Sequence, residues 1–295
     1  MALFNQVLQG VLLGGYYALM ACGLSFMFGV MRIINLAHGT LAVVAAYGVF
    51  WLADQHEVHP FWGLLLSLPV MAAVGWALHR LVLARAAQAG ELVPILATFG
   101  VAVALDNTLF ATFGADTRSL APYLDTLSYD GVELAGFQIG TLALLTFACA
   151  VALLGGLHLM LHHTPLGRRI RAVADDPATA QLVGVNAAQV NAAAAAIAMA
   201  TVAVAGSFLA MRAAVDPYAG APQLIFAFEA VMIGGLGSLW GTLAGGIALG
   251  VAQSLGASVH SQGFLIAGHL LFLAVLLVRV LRAGRPWSLV FSRAR

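Results

Sequence analysis

Apolar residues fill the chain in long blocks, separated by short polar connections. A helix that crosses a bilayer needs about 20 mostly apolar residues. Blocks of that kind run near Gln6–Val30, Leu36–Leu52, Phe61–Leu83, Leu92–Phe113, Gln138–Leu161, Asn191–Val215 and Gln262–Leu281. A further apolar stretch, Leu224–Gly256, is interrupted by GGLGSLWG at Gly234–Gly241. As one helix it would be about 50 Å long against about 30 Å of hydrocarbon, yet two full crossings need about 40 residues. The pattern predicts two short or unequal helices around a break at GGLGS. Broken backbone at membrane depth needs protein or a watery cavity around it. The expected fold is an all-α polytopic membrane protein with about seven full spans plus a broken or re-entrant helix pair. Residues 1–295 read as a single transmembrane domain. Its polar connections include an outer loop, 115–137, and a second loop, 162–190, both too short to fold alone. Alternation in YDGVELAGFQI, around Asp130-Gly131 and Ala135-Gly136, predicts a small hairpin on the membrane face.

Composition narrows the functions. With 62% hydrophobic and 8% charged residues, the chain lacks the polar surface of a soluble domain. It equally lacks the charge of a disordered or nucleic-acid-binding chain. All thirteen basic residues are arginine. Without lysine there is no Walker A loop and no Schiff-base nucleophile. Neither H-E-x-x-H nor G-x-S-x-G occurs, and the histidines lack metal-site spacing, so no catalytic residue, metal or cofactor is expected. Cys22 and Cys149 lie in apolar runs and read as small buried hydrophobes. The N-terminus has no cationic segment and no cleavage pattern, so it reads as a retained first span.

Arginine placement sets the orientation, because cytoplasmic loops are enriched in basic residues. With 162–190 inside, Arg32, Arg80, Arg85, Arg168, Arg169 and Arg171 are inside, and Arg118 and Arg212 are outside. If Leu224–Gly256 enters and returns, the five arginines from Arg279 to Arg295 also fall inside, giving eleven of thirteen. The N-terminus is then outside and the C-terminus cytoplasmic.

The inner loop carries two helix-start signals. Thr164-Pro165 and Asp176-Pro177 are each an N-cap followed by proline at the first helical position. Leu166, Ile170 and Val173 form one apolar stripe, with Arg168, Arg169 and Arg171 off it. Gly184 reads as the C′ stop of the second helix. Two short capped helices make a rigid knob with an apolar and a basic face. In the broken segment, Gly237, Gly241 and Gly245 step by four, as do Gly246 and Gly250, a spacing suited to close helix packing. Gly234, Gly235, Gly237 and Ser238 are candidates for presenting backbone groups to a transport path, where helix N-termini suit an anionic group. Glu229 and Asp106 are the acidic groups within apolar blocks, and such groups are costly to bury without a purpose. Glu229 could meet a cationic group of a solute, pair with Arg212 or lie near the outer interface. Asn35 and His38, beside Arg32, sit at the first hinge, as helix caps or as part of the path.

Three runs carry a resemblance: INLAHGTLA at Ile34–Ala42, GRRIRAVADDPATAQLVGVN in the inner loop, and GGLGSLWGTLAGG in the broken segment. Together they resemble the permeases of ATP-binding-cassette (ABC) importers of the branched-chain amino-acid type, over nearly the whole chain. The resemblance implies a bacterial inner-membrane location, two paired permeases (the second a different chain), two cytoplasmic ATPase subunits and a periplasmic binding protein. It also implies that Asp176–Gly184 fits a cleft on the ATPase. Importers of this kind often show Glu-Ala-Ala before a spaced glycine, where this chain has Asp176-Pro177-Ala178, with Ala180 and Gly184 following. Related permeases carry urea or amides. An ion-coupled secondary carrier is the alternative reading, since it also uses broken helices.

Overall fold

The computed structural model describes residues 2–134, 137–260 and 262–282. Arg285, Arg293, Arg295 and the hairpin tip Ala135-Gly136 lie outside the described residues. Eleven helices follow one another: α1 (Ala2–Met31), α2 (His38–His56), α3 (Pro60–Ala86), α4 (Val93–Phe113), α5 (Thr141–His163), α6 (Pro165–Asp175), α7 (Pro177–Leu182), α8 (Ala187–Arg212), α9 (Gly220–Gly234), α10 (Leu239–Val259) and α11 (Gly263–Arg282). Strands β1 (Gly131–Leu134) and β2 (Phe137–Gly140) form the expected hairpin, with Val132 opposite Ile139. Helix α3 contains a π-helical turn at His79–Leu83. Seven helices are long and apolar enough to span: α1, α3, α4, α5, α8, α10 and α11. The broken pair is unequal, with α9 at 15 residues and α10 at 21.

Packing reveals an internal repeat. Helices α1–α4 and α8–α11 each run as a long helix, a non-helical segment, a shorter helix and two spans. The third helix of each set packs antiparallel on the first helix of the other. Gly10 and Gly14 of α1 lie against Gly250 and Gly246 of α10. Phe61 and Gly75 of α3 meet Phe208 and Ala195 of α8. Gly23 of α1 lies against Ala198 and Thr201 of α8 while Tyr16 meets Arg212, so the two first helices run antiparallel and the sets have inverted directions, an arrangement common in transporters.

The non-helical segments share one local design. Met31-Arg32 and Met211-Arg212 end the long helices. Asn35 Oδ1 then accepts from Ala37 N at 3.0 Å, and Asp216 Oδ1 accepts from Tyr218 N at 2.8 Å. Their carbonyls accept from His38 N and Ala219 N at 3.2 and 3.1 Å. Both are Asx turns, in which a short polar side chain satisfies backbone outside the helices. Four residues beyond each, Gly39 and Gly220 stand in the first turn of the half-length helix.

These segments dip into the bundle. His38 Nε2–H donates to the carbonyl of Met20 at 2.7 Å. Met20 lies about 17 Å along α1 from its end at Met31, near half of a span. Gly220 lies on Thr40, with ideal-Cβ distances of 2.6 Å to its backbone. Helices α2 and α9 thus begin together at mid-depth and run to opposite ends. The interruption at membrane depth is consequently at 32–37 and 213–219. GGLGS joins α9 to α10 near one end of the bundle, beside Gly29 of α1. Length arithmetic misplaced it because residues 213–219 already carry the chain inward, leaving α9 only about 22 Å to cover. Asn35 and His38 are fully buried, as irregular backbone away from water requires.

Candidate functional site

Three structures bear on function: the capped loop, the broken segment under it and the mid-depth joint. In the loop, Thr164 Oγ1 accepts from Gly167 N at 3.0 Å and so caps α6. Asp176 Oδ1 accepts from Ala178 N and Thr179 N at 3.0 and 3.2 Å and caps α7. The Thr179 hydroxyl and amide, then the Ala178 amide, hold the Asp176 carboxyl below its ordinary value. Gly184 stops the turn at φ +84°. Ile170 and Val173 are buried, while Arg168, Arg169 and Arg171 are exposed. The apolar stripe of α6 is spent on its own bundle, against the end of α1 and Leu161 of α5. The free apolar surface is Leu182 and Val183, 87% and 75% exposed at the end of α7. The loop's exposed apolar side chains are therefore there and not on the stripe.

The broken segment lies beneath this loop. Ile170, Arg171 and Asp175 line one small cavity with Gly29, Gly237 and Leu239. Gly235 and Gly237 hold φ of +105° and +79°, which only glycine adopts readily. Ser238 Oγ accepts from Gly241 N at 3.1 Å and caps α10. Gly234, Gly241 and Gly245 bring α9 onto α10 backbone to backbone, and Gly246 and Gly250 bring α10 onto α1. The glycine steps of the sequence thus sit at helix contacts. Gly234–Ser238 face the loop and lie away from mid-depth.

At the joint, Asn35 and His38 precede and open α2. Leu36 N donates to Thr98 Oγ1 of α4 at 3.0 Å. Asp106 of α4 lies on the side of Thr40 and of Asp216 in the second dip. Asn35 Nδ2, His38 Nδ1 and Asp106 Oδ1 are buried without hydrogen-bond partners. Two helix N-termini, each with partial positive charge, therefore meet beside two carboxylates at mid-depth. The sequence candidates Asn35, His38 and Asp106 border this joint. Glu229 does not. It lies lower on α9, its carboxylate bonded to His269 Nδ1 of α11. Arg212 instead stacks over the Tyr16 ring at 4.9 Å. Sequence reading passed over His269 and Asp216. The doubled run Met-Arg, then Asn or Asp, then Gly four residues on was the available signal for Asp216.

The Glu229–His269 pair makes a directional prediction. The Glu229 side chain is 4% exposed and that of His269 is 45% exposed. His269→Leu strands a buried carboxylate and should cost about 3 kcal/mol. Glu229→Gln keeps a hydrogen-bonding group and should cost under about 1.5 kcal/mol. Thermal unfolding in detergent measures both, and equal losses would contradict the pairing.

Comparison with known proteins agrees with this architecture. The family described as "Branched-chain amino acid transport system / permease component" matches residues 6–281. The chain belongs to this permease family. The permease is 28% identical over 294 residues to the high-affinity branched-chain amino acid transport system permease protein BraD of Pseudomonas aeruginosa, covering 96% of each chain. It is 27% identical to the corresponding protein LivH of Escherichia coli K12, again over 96% of each. A probable LivH of Methanocaldococcus jannaschii is 28% identical over 95% of this permease and 90% of its own length. No solved structure matches. The permease is a multi-pass inner-membrane transport subunit of an ABC importer, not an enzyme.

Proposed function

We propose that the permease forms half of a path for branched-chain or related small apolar amino acids, and that an ATPase opens it by moving α6 and α7. The face bearing α6 is cytoplasmic in this reading, since Arg32, Arg168, Arg169, Arg171, Arg279 and Arg282 cluster there. Cytoplasmic ATPases seat on Leu182, Val183 and the loop arginines. A second permease completes the path, and a periplasmic binding protein delivers substrate to the hairpin face. The N-terminus is outside and the C-terminus inside.

One observation carries the reading. Loop, break and joint lie in sequence along α9. Arg171 and Ile170 share a cavity with Gly237, which lies at one end of α9, and the other end of α9 is the Gly220–Gly39 contact. A displacement of the loop can be passed through α9 as a rigid-body movement that parts the two half-helices. Because the permease has no lysine for a nucleotide loop, the work comes from a partner. Purification with the ATPase and binding protein, followed by reconstitution, tests this. Leucine uptake that requires both ATP and the binding protein is expected. Uptake of urea or an amide in its place would move the substrate class and keep the mechanism.

A further inference from the structure

On the outer half of α2, Tyr47, Phe50, Trp51 and Asp54 follow one another at helical spacing and share a face. The end of α4 contributes Leu109, Thr112 and Phe113 opposite them. Together with Arg118 they line an open cleft of about 630 Å³, within the size range of small-molecule sites. Its walls are mostly apolar, and Asp54, Gln55, Thr112 and Arg118 bring polar groups to it.

The two charges are opposed and do not pair with each other. Arg118 stacks its guanidinium over Phe50 at 5.5 Å, and its Nε is buried without a hydrogen-bond partner. Its one ion pair among the described residues is with Asp116, at 4.0 Å. Asp54 is positioned by the Tyr123 hydroxyl at 2.8 Å and the Gln55 amide at 2.7 Å. It feels the charge of Arg118 without forming an ion pair with it. A guanidinium and a carboxylate held apart across a mostly apolar cleft complement a zwitterion.

We infer that this cavity is a receiving site for the free amino acid, with the substrate carboxylate on Arg118, its ammonium on Asp54 and its side chain among Val44, Phe50, Leu109 and Phe113. The inference rests on the proposed amino-acid substrate. The site is tied to the joint. Arg118 and Val215 exchange backbone hydrogen bonds of 2.9 and 2.8 Å, and the Tyr47 hydroxyl donates to Val215 O at 3.1 Å. Val215 belongs to the dip that leads to Gly220. A solute on Arg118 therefore touches the segment whose movement opens the path.

The test needs no transport. The complete importer is placed in nanodiscs without binding protein, and Trp51 emission is isolated as the difference from a Trp51→Phe importer. The probes are leucine, 4-methylpentanoate and 3-methylbutylamine. Leucine should change the emission, and each analogue should bind about tenfold or more weakly, because each lacks one charged hydrogen-bonding group. Arg118→Gln and Asp54→Asn should each weaken leucine by about tenfold or more, with thermal stability and binding-protein affinity unchanged. An equal response to all three probes, no response in the unaltered importer, or unchanged titrations in both variants would overturn the site. Loss of binding-protein affinity in Arg118→Gln would reassign Arg118 to docking. Uptake of leucine by the unaltered importer, measured separately, distinguishes failure of this site from failure of the substrate reading.

Discussion

Gly220→Val and Gly39→Val should each abolish uptake and lower stability by more than about 3 kcal/mol, the upper end for overpacking. An ideal Cβ on Gly39 would stand 2.0 Å from the Gly220 carbonyl oxygen, and one on Gly220 would stand 2.6 Å from Thr40 N and Cα. The atoms met at Gly39 are all backbone, and at Gly220 the Thr40 hydroxyl, also at 2.6 Å, could turn aside while Thr40 N and Cα could not. The half-helices would have to separate, which exposes the Asx-turned segments that the joint buries. Gly48 is the matched control on α2. A Cβ there meets nothing within 4 Å, and the position is exposed. Gly48→Ala should leave stability unchanged or raise it by up to about 1 kcal/mol, and because Gly48 lines the outer cleft it is a control for stability only. Unfolding in detergent and uptake in proteoliposomes read both effects. Normal transport by Gly220→Val would remove the joint from the mechanism.

The second large effect is uncoupling. Arg168→Glu with Arg171→Glu, Leu182→Asp with Val183→Asp, or Gly184→Pro should each reduce ATP-driven uptake about tenfold or more, while the spans stay folded. The physical basis is the division of faces in the loop. Ile170 and Val173 hold α6 to the bundle, while all the residues altered by charge are exposed. Proline cannot adopt the +84° φ of Gly184, and it would also lose the bond from Gly184 N to Gln181 O. Co-purification with the ATPase, and stimulation of hydrolysis by the loaded binding protein, measure the coupling directly. Unaltered uptake by all three variants would show that the loop is not the transmission surface.

Some of this was legible in the sequence, and the reason differs from element to element. Spans declare themselves because each must bury its whole length in an apolar medium, and the block boundaries fall within a few residues of the helices. The caps at Thr164 and Asp176 were readable because capping is local chemistry. The mid-depth dips were not. Residues 32–37 and 213–219 fall largely between the apolar blocks, where they read as ordinary connections, and their depth depends on helices far along the chain. Arithmetic on Leu224–Gly256 therefore found the right number of pieces but put the depth at the wrong interruption. Glu229 was flagged as a costly group in an apolar block, with Arg212 as one possible partner. Its partner, His269, lies forty residues away on a helix that reads as uniformly apolar.

The central claim is that an ATPase, acting through α6 and α7, opens a path between α2 and α9. Its most direct test is uptake of labelled leucine into proteoliposomes holding the permease, its partner permease and the ATPase, with binding protein outside. Uptake should require internal ATP, persist when ion gradients are collapsed, and stop when a disulfide locks Ala37→Cys to Ala219→Cys across the joint. Uptake driven by an ion gradient without ATP, or unimpeded with the joint locked, would contradict the account.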